Sequence, residues 1–286
     1  MNTRSPSLAL AATALVLGSM SCGGPTTPTP PVVPPNAAPA IVSLAPATPR
    51  VEVGDAVALK AVVTDVETPV TQLTFQWVAS ASGAFTGAGA EVSWRPASDV
   101  ATPAVATITL TVVERYTVAL GGGRTETREN RTTSTTTVNV NNSLKETTEL
   151  ALSFLWDFAN SSVSPETCVR NFTDSCRGKA DELADIVKDR ALYKILASSF
   201  EVERVELDQS RTRAVIWAPC RFTDLVLTGE ASGSIISSSG ICLLTAVYQP
   251  YRWWLCNSNW CDDVTAPCVP SFRGGSSMQR LVEGCS

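Results

Sequence analysis

Short runs of alternating apolar and polar residues fill the chain between residues 41 and 142. Residues 57–63, 73–77 and 106–112 each carry an apolar side chain at every second position, as strands with one buried face do. Turn residues separate the runs, and β-branched residues are frequent within them. The pattern predicts an antiparallel β-sandwich over residues 41–142. Its expected core aromatics are Phe75, Trp77 and Trp94.

A glycine-rich segment at residues 120–124 predicts the tip of an extended hairpin, followed by a last strand at residues 135–140. The arm at residues 124–133 is rich in Thr, Arg and Glu. It is open to two interpretations: a recognition loop, or a solvated edge whose charges discourage pairing with neighbouring chains.

Helical periodicity begins at residue 143. Ser143 and Glu146 have the spacing of a capping box, and the apolar positions that follow predict a helix that stops near Asn160. A second helix, with an apolar stripe from Ala180 to Ile195, is expected after the loop between two cysteines. Its charged face is expected to support solubility, without chemistry. That face comprises Asp181, Glu182, Asp185, Lys188, Asp189 and Arg190.

Four strand patterns follow the helices, at residues 200–207, 214–222, 235–248 and 252–260. Helices followed by a run of antiparallel strands predict an α+β domain over residues 143–286, with the sheet wrapping over the helices.

The N-terminal segment has the pattern of an export signal. An apolar run at residues 8–17 follows Arg4, and small residues precede Cys22. The run is shorter than the roughly 20 residues that cross a bilayer, so we expect a processed signal at residues 1–21. The segment resembles bacterial lipoprotein signals, which implies lipidation of Cys22, although Ser19 stands where Leu is usual. Ordinary cleavage after Ser21 is the alternative. The proline-rich residues 22–40 predict an extended linker.

Composition narrows the function. The chain has 22 basic and 27 acidic residues with no basic block, which argues against nucleic acid as a partner. Histidine is absent, so neither a Ser/His/Asp triad nor a histidine metal site can form. We expect no cofactor, no metal and no enzymatic activity.

Nine cysteines are present, one at position 22 and eight between positions 168 and 285. An even set in an exported chain predicts disulfides. Cys168 with Cys176 would close a short loop, and Cys220 with Cys242 would face each other across a hairpin. Sequence leaves three pairings open among the other four, which are Cys256, Cys261, Cys268 and Cys285.

Two family resemblances follow from these patterns. The segments Val53-Gly54-Asp55, residues 73–77 and residues 87–96 resemble PKD and related immunoglobulin-like domains of bacterial surface proteins, which implies a spacer or adhesion module. The element order from residue 144 to residue 260 resembles the nuclear-transport-factor-2-like (SnoaL-like) superfamily. That resemblance implies a cone of helices and a bent antiparallel sheet around a cavity.

Several aromatic and acidic residues are candidates for ligand contact. Trp253 and Trp254 are neighbours in a strand and must point to opposite faces, so one is expected in the core or cone and the other outside. Asp157, Tyr193 and Tyr248 form the acid and phenol set that an enzyme would use inside the cone.

The expected function is that of an envelope lipoprotein, anchored through its lipid. By resemblance to bacterial lipoproteins, Gly23 rather than Asp after the cysteine implies sorting to the outer membrane. The C-terminal domain would bind a small apolar ligand, a glycan or an envelope protein. The alternatives are an enzyme using Asp157 with the tyrosines, and a structural or adhesion protein.

Overall fold

Strands of alternating burial form most of the described chain, which in this computed structural model comprises residues 35–176 and 178–261. Contacts divide the chain into the units Met1–Asn36 and Ala37–Ser286. The predictions for the export signal, Cys22, the proline-rich linker up to residue 34, Cys268 and Cys285 lie outside the described residues. Within the described ranges, no helix is long and apolar enough to cross a membrane.

The first part of the second unit is built from two four-stranded sheets. One sheet has the order β1-β3-β6-β5 and the other β2-β8-β7-β4, and β2 pairs with β8 in parallel whereas the remaining pairs are antiparallel. The strands are β1 (Ala40–Pro46), β2 (Arg50–Glu52), β3 (Val57–Thr64), β4 (Thr74–Ala79), β5 (Gly83–Ala88), β6 (Glu91–Pro96), β7 (Ala104–Gly121) and β8 (Arg124–Asn141).

The two sheets enclose a common apolar core. Leu59 and Trp94 from the first sheet pack in one cluster with Ile108 and Val138 from the second, and all four are almost completely buried. Strict alternation along β3 explains this, because every second side chain points to the partner sheet. The predicted β-rich architecture is confirmed, while the immunoglobulin-like assignment stays a prediction.

The expected hairpin is present and is longer than predicted. β7 and β8 pair along their whole length, and β8 begins at Arg124 rather than at residue 135. Gly122 and Gly123 occupy the tip with φ of 61° and 76°, a region that other residues enter only with strain. Glu129 forms ion pairs with Arg115 and Arg131 on the arm. Such exposed pairs stabilise a fold only slightly.

Up to residue 261, the described C-terminal part combines three α-helices with a five-stranded sheet, in which β10-β11-β12-β13 are neighbours in this order and β9 also pairs with β11. The strands β9 and β10 lie end to end along the same edge of β11, whose other edge pairs with β12. The elements are α1 (Ser143–Ala159), α2 (Pro165–Cys168), α3 (Gly178–Leu192), β9 (Tyr193–Phe200), β10 (Arg204–Leu207), β11 (Arg213–Val226), β12 (Ile235–Gln249) and β13 (Arg252–Cys261).

Helices cover one face of this sheet. Leu155 of α1 and Ile186 of α3 share a buried cluster with Ile216 of β11, Leu244 of β12 and Leu255 of β13. On β11 and β12 the even-numbered residues face the helices, because side chains alternate between the two faces of a strand. These residues pack against the apolar side chains of the helices in one core. This confirms the predicted combination of helices and an antiparallel sheet.

The start of α1 differs from the predicted capping box. The N-cap is Asn142, whose side chain accepts a hydrogen bond from the Lys145 backbone N–H at 3.2 Å. The Glu146 carboxylate accepts from the Asn142 N–H at 2.7 Å. Asn142 therefore takes the role expected of Ser143, whose hydroxyl is engaged in contacts with the β-sandwich instead.

The cysteine pairing is partly as predicted. Cys220 and Cys242 form a disulfide across the β11–β12 hairpin. The pairing of Cys168 with Cys176 is wrong, since Cys176 pairs with Cys256 and Cys168 is a buried free thiol. The three pairings considered for Cys256 are therefore wrong as well.

Tertiary contacts explain why Cys176 pairs with Cys256 and not with Cys168. Phe172 bridges to Leu255 and the Thr173 N–H donates to the Leu255 carbonyl at 2.9 Å, so the loop that carries Cys176 lies against β13. Cys168 is turned beneath α1 instead, where its thiol donates to the Asp157 carbonyl at 3.3 Å. Burial raises the pKa of this thiol, against the opposing effect of the nearby Arg190.

Candidate functional site

A cavity of about 510 Å³ lies between α3 and the helix-facing side of the C-terminal sheet. The end of α1 contributes Phe158 to its wall, α3 contributes Asp189 and Arg190, and the four strands β9, β11, β12 and β13 contribute the rest. Its volume falls in the range of roughly 300–1,000 Å³ that holds small molecules in proteins. The lining residues are Phe158, Asp189, Arg190, Tyr193, Ile195, Phe222, Asp224, Ile236, Ser238 and Trp260.

Aromatic rings form much of the wall. The ring centroids of Phe158 and Phe222 are 5.7 Å apart in an edge-to-face arrangement, and those of Phe222 and Trp260 are also 5.7 Å apart. Phe222 is buried, whereas Tyr193 and Trp260 remain 37% and 39% exposed. The buried ring therefore forms the inside of the cavity, and the two exposed rings lie at its mouth.

A recess of about 160 Å³ adjoins the cavity and shares Phe158, Phe222, Asp189 and Trp260 with it. Ser258 of β13 donates a hydrogen bond to the Glu182 carboxylate there. The pKa of Glu182 is raised to about 7, mainly by burial, with the hydrogen bond from Ser258 opposing the rise and the charges of Asp185 and Asp189 adding to it.

Two more carboxylates stand in the cavity wall. Partial burial raises the pKa of Asp189, and the nearby Asp185 adds to the effect. Burial likewise raises the pKa of Asp224, with a further contribution from Asp189. The Oδ1 atom of Asp224 is shielded from solvent and has no hydrogen-bond partner among the described residues. The cavity therefore combines apolar walls with concentrated negative charge.

Among the described residues that line the cavity, Arg190 is the basic one, and its guanidinium contacts the C-terminal end of α1. It donates to the carbonyls of Val163, Asp157, Phe158 and Asn160, and those of Asp157 and Phe158 belong to the last turn of α1, where carbonyls lack a partner within the helix. This position is favourable because the C-terminus of a helix carries partial negative charge.

The expectation of a solubilising charged face on α3 is confirmed in part, since Asp181 and Lys188 are exposed. Glu182 is turned toward β13 and Asp189 toward the cavity, while Arg190 caps a neighbouring helix. Ile186 is the buried residue of α3, whereas Ala184, Val187 and Ala191 of the predicted apolar stripe are exposed, so the covered face of this helix differs from the predicted one. The large apolar side chains of Phe222 and Trp260, which lie opposite the charges of α3, were the signal for the cavity that the sequence offered.

The predicted ligand residues are distributed over separate places. Tyr193 lines the cavity. The Asp157 carboxylate forms an ion pair with Arg170 at 2.6 Å. The Tyr248 hydroxyl donates to the Asn141 side chain at 2.9 Å, and burial raises the pKa of this tyrosine. The structure therefore does not bring the acid and phenol set together.

The two neighbouring tryptophans point to opposite faces. Trp253 is 3% exposed, and its indole N–H donates to the Ser143 hydroxyl at 3.2 Å. Trp254 is partly exposed, with the Arg252 guanidinium 3.6 Å from its ring centroid. Trp253 is a core residue, and Trp254 lies under an arginine on the other face.

A polar junction joins the β-sandwich to the C-terminal domain. The Arg50 guanidinium on β2 donates to Glu52 at 2.6 Å, to the Ser143 hydroxyl at 2.5 Å and to the Asn141 side chain at 3.2 Å. Only 15% of the Arg50 side chain and 13% of the Glu52 side chain are exposed. The side chains of the junction satisfy one another's hydrogen bonds and leave little exposed surface, so we interpret the junction as a structural contact and not as a ligand site.

A larger groove, of about 650 Å³, lies on the β1-β3-β6-β5 sheet. Short aliphatic and small side chains line it, with the exposed pair Lys60 and Glu91 at its edge. It offers neither aromatic walls nor buried polar groups, so the aromatic cavity is the better candidate site. Within the ranges the structure describes, no cluster of three metal-ligating side chains occurs.

No protein-family model and no curated protein matches this chain. Three solved structures have similar parts. A nuclear transport factor 2 (NTF2-like) superfamily protein from Salmonella enterica subsp. enterica serovar Typhimurium str. LT2 is 10% identical, with a TM-score of 0.34 over 46% of this chain and 97% of that chain.

The intermembrane space region of the chloroplast protein ARC6 is 12% identical, with a TM-score of 0.31 over 41% of this chain and 97% of that one. An Ntf2-like protein involved in plasmid conjugation is 10% identical, with a TM-score of 0.24 over 57% of this chain and 73% of that one. Similarities at these TM-scores establish neither the family nor the function of this chain.

Proposed function

We propose that this protein is a non-catalytic binding module of the cell envelope, whose C-terminal domain holds a small ligand in the aromatic cavity. The observation that supports binding is the cavity itself, about 510 Å³ with Phe158, Phe222 and Trp260 in its wall. Apolar ligand surface is favourably transferred from water onto such a wall, at about 25 cal/mol per Å². In this proposal the C-terminal domain is a nuclear-transport-factor-2-like cone.

The remaining parts of the proposal concern how the binding domain is attached to the cell envelope. The sandwich is a PKD-type spacer, and residues 1–40 supply an export signal, a lipid on Cys22 and an extended linker to the outer membrane. Binding is favoured over catalysis because Asp157 and Tyr248 are engaged in separate structural contacts.

Blocking the cavity tests ligand binding. Ser238 lines the cavity on β12, and its neighbour Ser237 points to the opposite face of the same strand. We expect Ser238→Phe to weaken binding of the neutral fluorophore Nile red by about tenfold, because the ring fills space that the dye needs. Ser237→Phe, an identical change on the other face, should leave binding unaltered.

Equal Nile red affinity in the wild type and Ser238→Phe would contradict binding in this cavity. Native mass spectrometry of the purified wild type adds an independent measurement, since a retained ligand should be lost from Ser238→Phe and kept by Ser237→Phe.

The anchor is tested separately. Mass spectrometry of the N-terminal peptide from membranes should show a lipid increment on Cys22, and globomycin should block processing. A mature chain without lipid would contradict the anchor and leave the binding proposal untouched.

A further inference from the structure

Charge in the cavity and its recess is one-sided. Four carboxylates line the two spaces: Glu182, Asp185, Asp189 and Asp224. Among the described lining residues, Arg190 is the basic one, and its N–H groups are directed to the carbonyls that end α1. Lys188 neighbours Asp189 on α3 without lining the cavity. An anionic ligand would therefore meet repulsion.

The aromatic wall favours positive charge independently of the carboxylates. The face of an aromatic ring is negative, and a cation within about 6 Å of the ring centroid is attracted to it, most strongly by tryptophan. Trp260 and Tyr193 stand at the mouth, and the buried Phe222 stands inside, with the ring of Phe158 edge-to-face against it. Rings with carboxylates beside them are the combination that recognises organic ammonium ions.

An unpaired acceptor marks the place for the charge. The Oδ1 atom of Asp224 is shielded from solvent without a partner among the described residues. A carboxylate with one oxygen shielded from water in this way is stabilised by an opposite charge, whereas a neutral apolar ligand would deepen its desolvation. The same surface thus discriminates between a cation and its neutral counterpart.

We propose that the ligand of the aromatic cavity is an organic cation, an ammonium group joined to an apolar body, held by the rings of Phe222 and Trp260 and by the carboxylates of Asp189 and Asp224. This inference rests on the proposed function, because it names the chemical class of the ligand that the cavity binds.

Two probes of the same shape test the charge. Benzyltrimethylammonium is a cation, and neopentylbenzene is its uncharged isostere. We expect the cation to bind the full-length mature chain at least tenfold more tightly than the isostere in calorimetric titration, a difference of about 1.4 kcal/mol. Its affinity should fall with added salt, whereas that of the isostere should not.

Asp224→Asn keeps the shape of the side chain and removes its charge. It should weaken binding of the cation by about tenfold without weakening binding of the isostere, whose contact with the uncharged amide costs less desolvation. Asp189→Asn, at the exposed mouth, gives a second variant if Asp224→Asn fails to fold. Asp181→Asn is the matched control, since Asp181 lies on α3 outside the lining.

The outcomes separate the two proposals. Equal affinity for both probes, or equal weakening of both by Asp224→Asn and Asp189→Asn, overturns the cation inference while Nile red binding that Ser238→Phe blocks still supports the cavity. Nile red binding that Ser238→Phe leaves intact overturns both.

Discussion

The guanidinium of Arg50 lies 3.8 Å from the ring centroid of Tyr248, so a residue of β2 in the sandwich stacks on a residue of β12 in the C-terminal sheet. The same guanidinium donates to Glu52 and Ser143 and reaches toward the ring of Trp253, 5.7 Å away. One side chain therefore connects the sandwich with both the first helix and the sheet of the following domain.

Removing this side chain should destabilise the described unit. We expect Arg50→Ala to lower the free energy of unfolding by about 2–3 kcal/mol, because Glu52 is left partly buried without its counter-charge. Arg50→Lys keeps the charge but not the planar donor geometry, so it should recover part of the loss. Urea unfolding of both variants measures the effect, and a loss of under 0.5 kcal/mol in Arg50→Ala, about the size of an ordinary surface change, would contradict it.

A double-mutant cycle isolates the stacking of Arg50 on Tyr248. Tyr248→Leu combined with Arg50→Ala should show a coupling of about 1 kcal/mol. Tyr248→Phe is the control, because it keeps the ring and removes the hydrogen bond to Asn141. It should lower stability by about 1 kcal/mol and show no coupling to Arg50→Ala.

Disulfide removal should affect the two bridges unequally. Cys176 and Cys256 are 80 residues apart, and Cys220 and Cys242 are 22 apart. Since a longer closed loop restricts the unfolded chain more, Cys176→Ala with Cys256→Ala should destabilise by about 1 kcal/mol more than Cys220→Ala with Cys242→Ala. Equal losses in chemical unfolding would argue against this entropic account.

The free thiol gives a direct test of the pairing. Cys168 is 1% exposed, so alkylation under native conditions should leave it unmodified, and alkylation after denaturation without reductant should label it. Peptide mapping should then recover Cys176 linked to Cys256. A peptide linking Cys168 to Cys176 would show the structure's pairing to be wrong.

The buried Glu182 predicts a pH dependence of stability. Its folded pKa is about 7 and its reference value is 4.5, so between these pH values the folded chain holds a proton that the unfolded chain has released. Stability should therefore fall as pH rises from about 4.5 to 7 and then level off.

Glu182→Gln removes this titration. The variant should match the wild type near pH 4 and exceed its stability at pH 8 by about 1–3 kcal/mol. Glu149→Gln, at an exposed position of α1, should leave the pH profile unchanged. Thermal unfolding at the two pH values checks it, and a constant difference between wild type and Glu182→Gln would contradict it.

Gly178 predicts a steric limit at the start of α3. A Cβ there would lie 2.3 Å from the carbonyl oxygen of Cys256, a backbone atom that cannot move aside cheaply. Gly178→Ala should therefore destabilise the domain by about 1–3 kcal/mol, although alanine favours helices. Ala180→Ser is a control on the same helix, and a stabilised Gly178→Ala in urea unfolding would contradict the close contact.

Element positions in the C-terminal part were largely predictable from the sequence. The helix predicted from residue 144 is α1, and the strands predicted at residues 214–222, 235–248 and 252–260 are β11, β12 and β13. The second helix ends at Leu192, so Ile195, predicted as its last apolar residue, lies in β9 instead. From sequence alone, an apolar residue at that position fits the end of a helical stripe as well as the start of an alternating strand, and only the tertiary structure decides between them.

The candidate site was predictable only in part. Tyr193 was among the predicted contacts, but Glu182 and Asp189 were not, because charges at helical spacing look solvated wherever the partner strand is unknown. Asp224 of β11 was not predicted either, because only the packing of this strand against α3 places it in the cavity wall. Likewise, the proximity of Cys168 and Cys176 in sequence suggested a bridge, whereas docking of their loop on β13 selected Cys256.

Local periodicity, turn residues and composition determined the β-rich first part, the α+β second part and the absence of histidine chemistry, since each depends on residues close in sequence or on counts alone. Tertiary structure decided which cysteines meet, which face of α3 is covered and how Arg50 joins the sandwich to Tyr248. These contacts join residues far apart in the chain, and only the packing of the sheets and helices sets their distances.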